Sequence, residues 1–211
     1  MYNIYAMPGL LGLLFQSPIV FFLVIAALVI SISIHEFSHA FVTTSLGDPT
    51  PKYQGRVTLN PKSHIDPLGL IFLVIGGFGW GRPVMFNELN LKNPKRDRAL
   101  IAFAGPLSNF IVAVVFSLLL KILGLGGILG TFLYLVIIYN LLLGIFNLIP
   151  IHPLDGFKVV SGLLPNNLAY QWEQTRKWGI YILLFLILTG TVGNVVGPFL
   201  DFATNLLGLT L

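Results

Sequence analysis

Apolar residues run almost unbroken along several stretches of this chain, and polar residues gather between them. Residues 18 to 46 open at Ser17-Pro18, close at Gly47-Asp48-Pro49 and contain no Lys or Arg. Those end signals and that length predict one helix able to cross the roughly 20-residue apolar thickness of a bilayer. Residues 97 to 123 and 128 to 149 predict two more spans, and the tight Gly-Leu-Gly-Gly turn between them makes them antiparallel neighbours. Residues 178 to 209 are apolar but interrupted by Gly190, Gly193 and Gly197, which predicts one kinked helix or a helical hairpin.

The intervening segments differ in kind. Residues 47 to 67 are rich in Pro, Asn and Gly and predict no regular helix. The stretch "LGLIFLVIGGFGWGRPVMF", residues 68 to 86, is apolar yet broken by glycines and Pro83. It predicts a re-entrant β-hairpin or loop, since irregular backbone at membrane depth is tolerated only where protein or a water-filled cavity covers it. No internal repeat or low-complexity run is present. The expectation is an all-α polytopic membrane protein, a transmembrane helix bundle with a short re-entrant element, forming a single domain over 1–211.

Composition sharpens this picture. Apolar residues make up 55% of the chain and charged ones 9%, against about one quarter charged in soluble proteins. The net charge of +4 does not point to nucleic acid, because the basic residues sit beside apolar segments. Placing 47–98 and 150–177 on one side gathers eleven of the twelve Lys and Arg there and leaves Lys121 opposite. The positive-inside rule makes that side cytoplasmic. His35, His39 and the distant His-Pro-Leu-Asp-Gly segment then meet near one membrane face. Cysteine is absent, so any metal must be held by His, Asp or Glu. The N-terminus has no Lys or Arg before its apolar stretch and lacks the charged start of a signal peptide, so the chain reads as complete in itself.

The chemistry concentrates in "HEFSH", residues 35 to 39. Histidines four apart lie one helical turn above each other, about 6 Å along the axis, a spacing suited to two ligands of one metal. Glu36 stands where it can reach a water at that metal without being a ligand itself. Ionisable groups on a membrane helix cost several kcal/mol unless they are used, which disfavours a merely structural role. Ser31 and Thr43 extend the stripe one turn each way and suggest a hydrated face.

A catalytic zinc commonly takes a third protein ligand. Asp155 is the preferred one, since its Pro-Leu-Asp-Gly turn follows the third span at the matching depth. The alternative is that Asp155 only caps the helix starting at Gly156. His152 is a rival ligand by spacing, and His64 is either a supporting partner or an interfacial histidine. Gly193 and Gly197 in "GNVVG" suit internal packing and dimerisation equally. Trp80, Trp172 and Trp178 suit interface anchoring.

Taken together, "HEFSH" at 35 to 39, "AGPLSN" at 104 to 109 and "FNLIPIHPLDG" at 146 to 156 resemble the site-2 protease family of intramembrane zinc metalloproteases. "GDPTPKYQGRVTLNPKSHIDPLG" and "GWGRPVMFN" are similar to its compact prokaryotic branch. The resemblance covers a core over residues 18 to 165, followed by the C-terminal membrane segment 178–209. It implies that His35, His39 and Asp155 bind one zinc ion per chain, that Glu36 is the catalytic glutamate and that Asn147 helps bind the substrate carbonyl or oxyanion. It implies cleavage of a peptide bond within or next to a transmembrane helix of a protein substrate, in a prokaryotic inner membrane, with the site near the cytoplasmic face. The chain departs from larger members in having no room for a PDZ or CBS domain, and Arg82 stands between Trp80 and Pro83 where relatives often differ. Two other classes remain: a metal-ion transporter using the histidines as a transit site, and an inactive membrane scaffold. The absence of a repeat speaks against the first, and the intact Glu36 against the second.

Overall fold

A computed structural model of the chain describes residues 10–209, so the signal-peptide question at the first nine residues lies outside it. Its helices are α1 Leu11–Gln16, α2 Pro18–Ser45, α3 Thr50–Tyr53, α4 Pro67–Gly76, α5 Pro94–Leu123, α6 Gly127–Asn147, α7 Asp155–Leu163, α8 Asn166–Gln174, α9 Arg176–Leu188 and α10 Thr191–Leu206. Three of them, α2, α5 and α6, are long and apolar enough to cross a membrane. Helices α9 and α10 qualify together as one span broken by an 82° bend. The bend falls at Gly190, which has a positive φ of 70°. The C-terminal segment is therefore sharply bent, and the all-α polytopic membrane architecture agrees with the hydrophobic pattern.

The punctuation in the sequence explains the boundaries. Proline occupies the first turn of α2, α4 and α5, where its missing N–H costs nothing and its fixed φ suits a helix start. Gly124 and Gly127, both at positive φ, close the turn that returns α6 against α5.

In lipid, helices are not driven together by hydrophobicity, so close packing and polar contacts must hold them. Helix α5 is the centre, packing on α2, α6 and α7. Small residues make the approaches possible. A Cβ on Gly144 of α6 would lie 3.0 Å from the Phe110 ring of α5, and one on Gly162 of α7 would collide with Ala99 of α5. Ala113, Ile137, Leu141 and Leu200 form an apolar cluster where α5, α6 and α10 meet. Val24, Ala27, Leu135 and Val136 form a second one between α2 and α6.

The broken segment differs from a strand pair. Its first arm is α4, started by Asp66, whose carboxylate accepts from the Gly69 N–H at 3.0 Å, and ended by Gly77 in the left-handed conformation. Its second arm returns extended. The described residues contain no strand, and a single antiparallel bridge joins Ile65 to Gly81. The Asp-Pro start and an uninterrupted run from Leu70 to Ile75 are helix signals that the later glycines obscure. Side chains at Gly69 or Gly79 would run into the opposite arm, so the two arms touch backbone to backbone.

The extended arm is anchored at both ends. Arg82 donates its N–H to the His64 carbonyl at 2.7 Å, and buried Arg56 donates through Nη2 to the carbonyls of Arg82 and Pro83. At the far end the Asn87 N–H reaches Asp48 Oδ2 at 2.6 Å and Asn90 Nδ2 reaches Oδ1 at 2.8 Å. Trp172, expected at an interface, instead stacks on Phe157 and donates to its carbonyl at 3.0 Å. A Cβ added at Gly193 or Gly197 would meet no atom within 4 Å, so neither glycine is required by a close approach among the described residues.

Replacing Gly162 by Leu forces α7 away from α5. Overpacking of this kind costs about 1–3 kcal/mol, and the expected outcome is a lower thermal unfolding midpoint in detergent, measured against Leu163→Ala on the exposed neighbouring position.

Candidate metal centre

His35 and His39 lie on the face of α2 that α5 covers, and α7 brings Asp155 to them across more than a hundred residues of sequence. The two Nε2 atoms are 3.0 Å apart, and each is 3.1 Å from Asp155 Oδ2. All three residues are buried, and among the described residues this is the one cluster of its kind.

The hydrogen bonds behind the rings decide what these atoms are. Asn140 Nδ2 is 2.8 Å from the Val136 carbonyl, which only accepts, so the Asn140 amide nitrogen is fixed there and its Oδ1 faces Asn109 Nδ2 at 2.7 Å. Asn109 Oδ1 therefore points at His35 Nδ1, 2.6 Å away, and that nitrogen donates. His39 Nδ1 donates to the Ile101 carbonyl at 2.7 Å. In the neutral rings both Nε2 atoms are consequently lone pairs, facing each other and a carboxylate oxygen. Three electron-pair donors at this separation repel one another in a buried site and call for a cation. Nitrogen and oxygen ligands at the usual zinc distances stand about 3.3 Å apart around a tetrahedral ion, so the donor set fits a small divalent metal with little movement.

Helix α5 leaves room for it. A Cβ on Gly105 would lie 2.5 Å from His39 Nε2 and 2.6 Å from His35 Nε2. Only glycine keeps the space beside both nitrogens open. Ser31 and Thr43, expected on a hydrated face, are fully buried against protein. Ser31 Oγ accepts from Asn140 Nδ2 at 2.8 Å, and Thr43 Oγ1 donates to the His39 carbonyl at 2.7 Å.

Asp155 is the first residue of α7. The cap position belongs to Leu154, which makes no side-chain capping bond, and the Asp155 carboxylate turns to the histidines instead. A negative group in the first turn of a helix is also favoured by the helix dipole. Gly156 sits under the Leu148 carbonyl, where a side chain would collide, so the chain can turn from α6 into α7 at the required depth. Lys158 Nζ lies 3.7 Å from Asp155 Oδ1.

The rival candidates are elsewhere. His152 packs edge-on against Phe157 with ring centres 5.7 Å apart. His64 is fully buried and its Nε2 lies 2.6 Å from the Thr58 carbonyl. Glu36 is half-buried and turned toward the extended arm, where a Cβ on Gly81 would lie 3.4 Å from its Oε1. Asn147 ends α6, and its Nδ2 donates to the Leu143 carbonyl at 3.0 Å, leaving its second N–H for another acceptor.

Asn140 is a neighbour of the cluster that no motif singles out, and Gly105 and Asn109 fall within "AGPLSN" without a role being read from them. The available signal is polar: an amide in an apolar span needs partners, and a ligand histidine needs an acceptor at its other nitrogen.

Replacing Asn109 by Ala removes that acceptor, and the expected result is about a 10–100-fold loss of metal affinity in chelator competition. Gly105→Ala places a methyl group beside both Nε2 atoms, and its expected outcome is loss of stoichiometric metal by elemental analysis with the helical signal retained.

Known proteins place this arrangement in context. The profile described as Peptidase family M50 matches residues 23–126 and 125–190. A Bacillus subtilis protein named "Putative zinc metalloprotease YwhC" is 36% identical over 186 residues, which cover 84% of this chain and 85% of that protein. A Mycolicibacterium smegmatis protein named "Putative zinc metalloprotease Rip2" is 30% identical over 206 residues, 87% of this chain and 75% of its own. No solved structure matches the chain. The extent of these matches, together with a His-Glu-x-x-His helix closed by a distant Asp, makes this chain a member of peptidase family M50, the site-2 proteases.

Proposed function

We propose that the protein is a zinc metalloprotease that hydrolyses a peptide bond within or next to a transmembrane helix of a protein substrate. The observation that carries this is the convergence of three lone pairs, from His35, His39 and Asp155, in a buried site between membrane-spanning helices. The names of the relatives YwhC and Rip2 support the same chemistry. One such cluster among the described residues supports one zinc ion per chain.

Zinc held by His35 Nε2, His39 Nε2 and Asp155 Oδ2 would supply Lewis acidity and lower the pKa of a water in its open position. Glu36 takes the proton of the attacking water and returns it to the leaving amine. The spare N–H of Asn147 donates to the oxyanion that develops on the attacked carbonyl. Asn109 and the Ile101 carbonyl hold the imidazoles in the tautomer this requires.

A helical substrate has its peptide groups satisfied internally and must unwind before attack. The extended arm at Val84 to Phe86 supports pairing with the unwound chain by strand addition. The asymmetry of Lys and Arg supports a site near the cytoplasmic face, and the Bacillus and Mycolicibacterium relatives support a prokaryotic inner membrane. A transport role finds no support in paired halves, and an inactive scaffold would have no use for the intact Glu36.

With a transmembrane model substrate in detergent, Glu36→Gln is expected to keep zinc and lose about 10²–10⁴-fold in kcat. Asp155→Ala is expected to lose zinc itself. Native-like cleavage by Glu36→Gln would overturn the mechanism. Val84→Pro is expected to lower cleavage at unchanged zinc content, and unchanged cleavage there would overturn pairing at the arm.

A further inference from the structure

A cavity of about 290 Å³ opens between the extended arm and the helices that follow Asp155. Val84, Met85 and Phe86 form one wall, and among the described residues their main-chain groups make no hydrogen bond to the rest of the chain. His152, Lys158 and Arg176 make up another part of its wall.

The charges on that wall are unbalanced. Both carboxylates of the cavity are taken: Arg98 lies 2.7 Å from Glu173 and 3.6 Å from Glu88, and Ser161 Oγ also donates to Glu173 at 2.7 Å. Arg176 has no carboxylate partner among the described residues. Lys158 has only Asp155 Oδ1, at 3.7 Å, on a carboxylate already directed at the two histidines. Burial, then the neighbouring Arg176 and Lys158, hold His152 below its ordinary pKa. Its buried Nδ1 has no hydrogen-bond partner among the described residues. Three basic groups, Arg98, Lys158 and Arg176, stand against two carboxylates, Glu88 and Glu173, so the lining carries an excess of positive charge that suits an anion.

We propose that this wall is a specificity subsite that takes a carboxylate side chain, Asp or Glu, of the substrate close to the bond being cut. The proposal rests on the protease reading for the identity of the occupant. An extended chain sends successive side chains to opposite faces, so a peptide lying along Val84–Phe86 turns every second side chain toward Lys158 and Arg176. The unpaired peptide groups of the arm favour this occupant over a lipid phosphate, which has no main chain to pair with them. Because Lys158 touches both the cavity and Asp155, an acid bound there lies next to the reacting centre. The volume is adequate for one such side chain, since a water molecule occupies about 30 Å³ of liquid.

The experiment uses the full chain in detergent and a transmembrane model substrate carrying Asp, Asn or Lys in turn at each position flanking the cleaved bond. At one position kcat/KM is expected to fall about fivefold from Asp to Asn and further to Lys, mostly through KM, with the preference weakening as salt rises. Arg176→Glu, checked for native zinc content and thermal midpoint, is expected to invert the order of Asp and Lys. Binding of the same substrates to the Glu36→Gln protein should rank Asp above Asn above Lys. Equal kcat/KM for the three at every position, or an order unchanged in Arg176→Glu, overturns the subsite. Ranked binding with no substrate cut by the native protein overturns the protease reading instead.

Discussion

Three lone pairs pressed together in a buried site are a liability that the rest of the molecule is arranged around. Left alone, the Nε2 atoms of His35 and His39 and the Asp155 carboxylate would repel each other or collect protons. The bundle holds all three in place. The Asn140–Asn109 relay and the Ile101 carbonyl fix the Nδ1 protons on the far side of each ring. Gly105 leaves beside the nitrogens a space that any larger residue would fill.

Helix α5 carries most of this burden. Within its length it supplies the Ile101 carbonyl, the Gly105 gap and the Asn109 amide to one side, and Ala99 as the seat for α7 on another. Its rotation and depth therefore set the tautomers of α2 and the position of Asp155 at once. Interhelical polar contacts in membranes are individually modest, on the order of 1 kcal/mol. Here they matter through orientation: each determines which atom its neighbour presents.

Much of this was legible in the sequence because lipid imposes simple rules. Span lengths, end signals and glycine turns located α2, α5 and α6 to within about three residues at each end, and His35, Glu36 and His39 declared themselves by helical spacing. Asp155 was harder, since a local rule, helix capping, competed with a long-range one. Its carboxylate in fact serves the long-range contact while Leu154 holds the cap position. The helical first arm at Pro67–Gly76 was obscured because its glycines are concentrated where the arms touch, and density of glycine says where backbones meet without saying what conformation they meet in. Asn140 was silent for another reason: an amide in an apolar run has no spacing code, and its meaning depends on the partner that packing brings, while Asn109 stood in the quoted "AGPLSN" without a role being readable from it.

The extended arm shows how such a bundle handles a segment that has neither helix nor sheet to stiffen it. Arg56 and His64 hold one end and Asp48 the other, while the three residues between them leave their peptide groups free. A chain tethered at both ends over so short a distance explores few shapes, and most of the configurational entropy that a loose loop would surrender on meeting another chain has been surrendered during folding. The arm is thus a short extended segment whose shape depends on two buried charges, Arg56 and Asp48, that are not part of the metal cluster.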